Sequence, residues 1–266
     1  MSGDEVLVLI ASLALGPVAW AVWFYRIAAV DHLGGGKPPI WVLAGVFGLC
    51  GLILGLVLTT LAAPDVRDAP PYLAFYFMFG LAWIRICEWL FAYAGISVRD
   101  DVIERRNGAA MPVACGAMLG VTCCFAGGNV GAGPGWWVVA FSGALATIGL
   151  AVVWLAVEWA GGVTDLVTID RDPAVGWRLG GLLAASGLIL GRAVAGDWHE
   201  AGQTIVDFVA VGWGVAPLAI GAIVVDRLFK PTPEQPRQPL VIGGMFPALI
   251  YVVAAAVYLI ATGWPA

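Results

Sequence analysis

Long apolar runs alternate with short segments rich in Gly, Pro and charge from one end of the chain to the other. Crossing the hydrocarbon core of a bilayer takes a helix of about 20 apolar residues. On that criterion the pattern predicts eight helices, near 5–27, 40–63, 71–95, 109–128, 136–160, 174–195, 203–227 and 239–262. The fourth is short and rich in Gly, Ala and Cys, but it carries no charge. The runs are continuous rather than alternating at period two, which argues against membrane strands. Turn formers fill the gaps: GGGKPP at 34–39, APDVRDAPP at 63–71, GNVGAGPG at 128–135 and KPTPEQPRQP at 230–239. None of these connections is long enough to fold as a domain. The expected fold class is therefore an all-α integral membrane protein, one polytopic domain over 1–266 made of hairpin units near 1–66, 67–131, 132–199 and 200–266. Pro17 and Pro217 fall inside helices, where each removes a backbone hydrogen bond and predicts a kink.

Composition agrees with the pattern. The 266 residues are 61% apolar and 12% charged, whereas a soluble domain carries about 25% charge and about 45–50% apolar residues. One water-soluble core could not hide so much apolar surface, so lipid is an expected partner and nucleic acid is not. The opening segment MSGDEVLVLIASLALGPVAW has an acidic start and no small-residue cleavage pattern, and it reads as a retained membrane helix rather than a signal peptide. Cys50, Cys87, Cys115, Cys123 and Cys124 lie in apolar runs without a C-x-x-C pair and read as small buried hydrophobes, with no metal site.

Lys and Arg are distributed unevenly. Connections after the odd-numbered helices hold Arg26, Lys37, Arg99, Arg105, Arg106, Arg171, Arg227, Lys230 and Arg237, while those after even-numbered helices hold only Arg67, with Arg192 near an end. The positive-inside rule then expects both termini outside. Trp23, Tyr25, Trp41, Trp89, Tyr93, Trp159 and Trp177 fall near the expected inner interface, and Tyr72, Trp136, Trp137, Trp198 and Trp264 near the outer one.

Sliding the chain along itself without a gap superposes the third and fourth helices on the fifth and sixth, matching Trp89 with Trp154, Asp100 with Asp165, Arg106 with Arg171 and Gly116 with Gly181. A repeat of two helices keeps successive units in one orientation, so the hairpins are expected to be parallel repeats. The stretches ISVRDDVIERRNGAAMPVACGAMLGVTCCFAGGN (96–129) and DRDPAVGWRLGGLLAASGLILGRAVAGDW (170–198) resemble the bacterial "domain of unknown function 350" membrane family. That resemblance implies tandem two-helix units in a bacterial cytoplasmic membrane. It also implies a cytoplasmic enzyme partner, polyamine-synthase-like or of the ATP-grasp type, but no catalytic motif to carry over.

Two sets of residues stand out. Gly116 and Gly120 form a G-x-x-x-G, and Gly180, Gly181, Gly187 and Gly191 smooth the sixth helix, as close helix packing in lipid requires. The same smooth faces make a homo-oligomer a reasonable expectation. The second set is charged. Arg85 and Glu88 lie on one face of the third helix, Glu158 and Arg178 are expected at similar depth, and Arg192 and Asp207 near the outer surface. Charge inside a bilayer persists only when paired or wetted. These six either lock the bundle or line a polar pathway for an ion or small solute.

Other chemistry is set aside. His32 and His199 lie in loops, so an axially ligated haem is not expected. Lys37 and Lys230 are also in loops, and no P-loop, H-E-x-x-H or G-x-S-x-G is present, so neither enzyme activity nor a cofactor is expected. Asp197–Glu200 reads as a solvated helix cap rather than a metal site. The leading functional expectation is channel- or transporter-like passage. The alternative is a scaffold whose inner loops, especially Arg99, Arg105 and Arg106, dock the cytoplasmic enzyme.

Overall fold

The computed structural model describes residues 2–31, 40–229 and 239–263. His32, Lys37, Lys230, Arg237 and Trp264 lie outside the described residues. Among the described residues the chain is helical without strands, and seven helices are long and apolar enough to cross a membrane, or eight if one bent pair counts as a single span. This is the architecture of a multi-pass membrane protein.

The first span is α1 (Gly3–Leu13) and α2 (Ala19–Asp31), joined by a wide turn at Ala14–Val18. Ser2 and Glu5 cap α1 reciprocally. The break falls at Gly16, just before Pro17, where φ −87° and ψ −105° leave the helical region. Gly16 also lets α1 lie on the third span: a β-carbon there would sit 3.1 Å from the Met78 carbonyl oxygen. The spans that follow are α3 (Ile40–Thr60), α4 (Pro70–Leu90), α5 (Ala110–Gly127), α6 (Trp136–Gly161) and α7 (Pro173–Ala193).

The seventh span is the bent pair α8 (Ala201–Gly212) and α9 (Val215–Leu228), which meet at 43°. The bend lies at Trp213–Gly214, not at Pro217 itself. A proline clashes with the carbonyl four residues before it, here that of Trp213, so the disruption appears one turn earlier. The Tyr258 ring packs where a Gly214 side chain would go, and its hydroxyl donates to the Val211 carbonyl at 2.6 Å. The last span is α10 (Phe246–Thr262), entered through a wide turn at Val241–Met245.

The centre of the bundle is α5 beside α7, running in the same direction in near-backbone contact. A β-carbon on Gly116 would fall on the Gly180 carbonyl, one on Gly187 on the Gly120 backbone, and one on Gly191 on the Cys123 carbonyl. Gly181 faces α10 instead, against Ala248. Buried shares of 72% for α5 and 78% for α7, against 17% for α3 and 22% for the first span, place the core. The outer helices expose Leu7, Leu52, Val152 and Ile260 freely. Such surface is tolerable in lipid and would not be in water.

Exposed Tyr25, Trp41, Trp89, Tyr93, Trp159 and Trp177 gather at the ends of spans that meet the odd-to-even connections. Trp23 departs from the expected belt: it is buried edge-on against Trp20 and Phe24.

Two turns at that end share one geometry. Arg106 and Arg171 both adopt left-handed backbone, with φ 51° and 53°. Asn107 and Asp172 follow them, and each side chain accepts from the amide two residues on, at 2.9 and 2.8 Å. Their own amides reach back to Asp101 and Leu166. The Asn107 side-chain amide then donates to the Val167 carbonyl at 2.7 Å and ties the two turns together.

Candidate functional site

At the opposite end, three connections and the start of α1 enclose a cavity of about 380 Å³. Its floor is backbone-built. The Gly196 and Trp198 amides donate to the Val130 and Ala132 carbonyls at 3.0 and 2.8 Å, and the Ala132 amide donates to Asp197 at 2.7 Å. Gly131 makes this clasp possible, since its φ of +96° disfavours other residues and a β-carbon would strike the Gly196 backbone. On the rim, the Tyr72 hydroxyl donates to Glu5 at 3.2 Å, and the Trp136 indole donates to Asp4 at 2.9 Å, holding α1 over the opening.

The lining is electrically one-sided. Glu5, Asp65, Asp197 and Asp207 face the cavity, and no Lys, Arg or His among the described residues lines it. Asp65, Asp197 and Asp207 are exposed and Glu5 is half-buried. Among the described residues no three His, Cys, Asp or Glu side chains converge to hold a metal. The carboxylates therefore set up a diffuse negative field at the mouth, which concentrates cations and repels anions. Deeper in, Tyr76, Asn129 and Ser142 form a neutral polar wall, each more than nine-tenths buried.

The six charged residues expected to form one pathway stand at separate places. Half-buried Arg85 and buried Glu88 form an ion pair along α4, with the Arg85 guanidinium 5.5 Å over the Trp20 ring. Trp20 is itself held by its indole donating to the Leu81 carbonyl at 3.0 Å. Arg178, 2% exposed, pairs with Asp226 of α9 and donates to the Gly243 carbonyl, so its partner is not Glu158. Glu158 instead caps a turn by accepting from the Thr164 amide at 2.7 Å. Arg192 donates to the Gly263 carbonyl at 2.8 Å, and Asp207 is exposed and accepts from Gln203 at 2.8 Å. Asp207 is the one member of the six that lines the cavity. Asp226 is missing from the expected set: beside Arg227 at a helix end, nothing in the pattern marks it as buried.

The candidate docking residues lie on the twin-turn end. Arg99 pairs with Glu104 and Arg105 with Asp101, each at 2.9 Å, which cancels their charge locally. Arg106 occupies the left-handed turn position described above. Compared with known proteins, the chain matches no family model, and no curated protein or solved structure is detectably similar to it.

Proposed function

We propose that this membrane protein admits a small cation through its acidic cavity, the entrance to a channel- or transporter-like path. The carrying observation is the cavity itself: four carboxylates, and no basic side chain among the described residues, at the meeting point of three connections. By the asymmetry of Lys and Arg, that face is the outer one and both termini lie on it. The ion pairs along α4 and between α7 and α9 are, in this reading, bundle locks rather than carriers.

The architecture belongs to the same proposal. Four parallel hairpins of the tandem-repeat family named above would place equivalent turns at one membrane face. The matched Arg106–Asn107 and Arg171–Asp172 geometries, one repeat apart, support that reading.

The test is flux in proteoliposomes. Neutralising the exposed pair Asp65→Asn and Asp207→Asn is expected to lower cation uptake severalfold, with the effect shrinking as salt screens the field. Uptake no greater than in empty vesicles, or untouched by the double substitution, would remove the proposal.

A further inference from the structure

Three side chains below the carboxylate rim have hydrogen-bonding capacity that the protein does not use. Tyr76 on α4, Asn129 just after α5 and Ser142 on α6 are 5%, 6% and 4% exposed, and each lines the cavity. The Asn129 side-chain amide nitrogen is committed, donating to the Phe125 carbonyl at 2.8 Å, which leaves its oxygen as the free acceptor. Among the described residues, the Tyr76 and Ser142 hydroxyls and this Asn129 oxygen have no partner within the protein, yet they are not sealed away as the Tyr251 and Ser186 hydroxyls are. Three polar oxygens, from α4, the turn after α5, and α6, thus open onto one cavity with no protein partner among the described residues, and only water or a bound ion can satisfy them.

The chemistry of that position is specific. All three oxygens are neutral, and no three carboxylates among the described residues converge to hold a metal. A divalent ion needs carboxylate charge, or keeps its own waters, to offset dehydration. Neutral oxygens from carbonyls and hydroxyls replace the hydration shell of a monovalent cation, as carbonyl rings do in selective channels. We infer that Tyr76, Asn129 and Ser142 form the selectivity site of the cavity, holding a dehydrated monovalent cation by neutral oxygens while the rim carboxylates only concentrate cations. This rests on the reading that the cavity takes cations.

The experiment is calorimetric titration of the purified full chain with potassium, sodium, ammonium and magnesium chlorides at constant ionic strength. The three monovalent arms identify which ion the site prefers. Binding of at least one monovalent ion in preference to magnesium is expected. Ser142→Ala and Tyr76→Phe should each weaken monovalent binding about tenfold, because each removes one of the neutral oxygens that replace the ion's waters. Asp65→Asn with Asp207→Asn should weaken both monovalent and divalent binding, the divalent more, since its energy in the same field is twice as large. Tighter magnesium binding, or Tyr76 and Ser142 variants that bind as the parent does while rim variants fail, would overturn the selectivity site and leave the acidic entrance standing. Absence of any cation binding would overturn both. Retained thermal unfolding midpoints in Ser142→Ala and Tyr76→Phe separate lost binding from lost folding.

Discussion

Replacing Gly116 by Ala tests the packing at the centre of the bundle. The new methyl would be built on the Gly180 carbonyl, a backbone group that cannot rotate aside. Normal carbon–oxygen contact is about 3.3–3.6 Å, so α5 and α7 must separate by more than an ångström along their shared line. A radial gap of about 0.5–1 Å already forfeits a quarter to a half of each dispersion contact, and overpacking of this kind costs about 1–3 kcal/mol. The unyielding carbonyl puts Gly116→Ala at the upper end, about 3 kcal/mol. The same change at Gly45 or Gly48 meets nothing within 4 Å. There the better helix propensity of Ala should stabilise by up to about 1 kcal/mol. Thermal unfolding of purified protein in detergent reads the contrast, at about 2–4 °C per kcal/mol for a chain approaching this size. A Gly116→Ala protein as stable as Gly45→Ala would refute the backbone contact.

Asp226→Asn should be among the most damaging single changes, costing about 3–5 kcal/mol by leaving Arg178 charged and unpaired, and the double change Arg178→Met with Asp226→Leu should recover much of it. Equal losses in the single and double variants would show that the two do not form a unit. Arg171→Gly should raise stability by about 1 kcal/mol, because Gly carries no penalty at the left-handed φ of 53°. A lower unfolding midpoint would mean that the Arg171 side chain contributes more than its strained backbone costs. Asn107→Ala should cost about 1–2 kcal/mol through the lost cap and the lost tie to Val167, read by chemical or thermal unfolding.

Much of the helical layout was readable along the chain, because a span announces itself as an apolar run and lipid imposes its length. The glycines of α5 and α7 were readable for the same reason: smooth faces at regular spacing have few uses in lipid other than close approach. Partner choice was not readable. Arg178 meets Asp226 of α9 rather than Glu158, and the bend that leads into α9 lies one turn from Pro217. The cavity was less visible still. Glu5, Asp65, Asp197 and Asp207 are scattered from the first span to the seventh, and only the gathering of three short connections brings them together. Tyr76 sits inside an aromatic run and Asn129 beside turn formers, so neither stands out by pattern. Ser142 leaves a faint signal as one of two hydroxyls, with Thr147, in an apolar span.

The central claim of the proposed function is that the acidic cavity and the twin turns lie on opposite faces of the membrane, the cavity outside. Single cysteines at Asp65, Asp207 and Arg171 test it most directly against a background whose native cysteines are buried or half-buried in the spans. With a membrane-impermeant maleimide on intact cells, Asp65→Cys and Asp207→Cys should react and Arg171→Cys should react only after permeabilisation. Labelling of all three from one side, or the reverse pattern, would contradict the account.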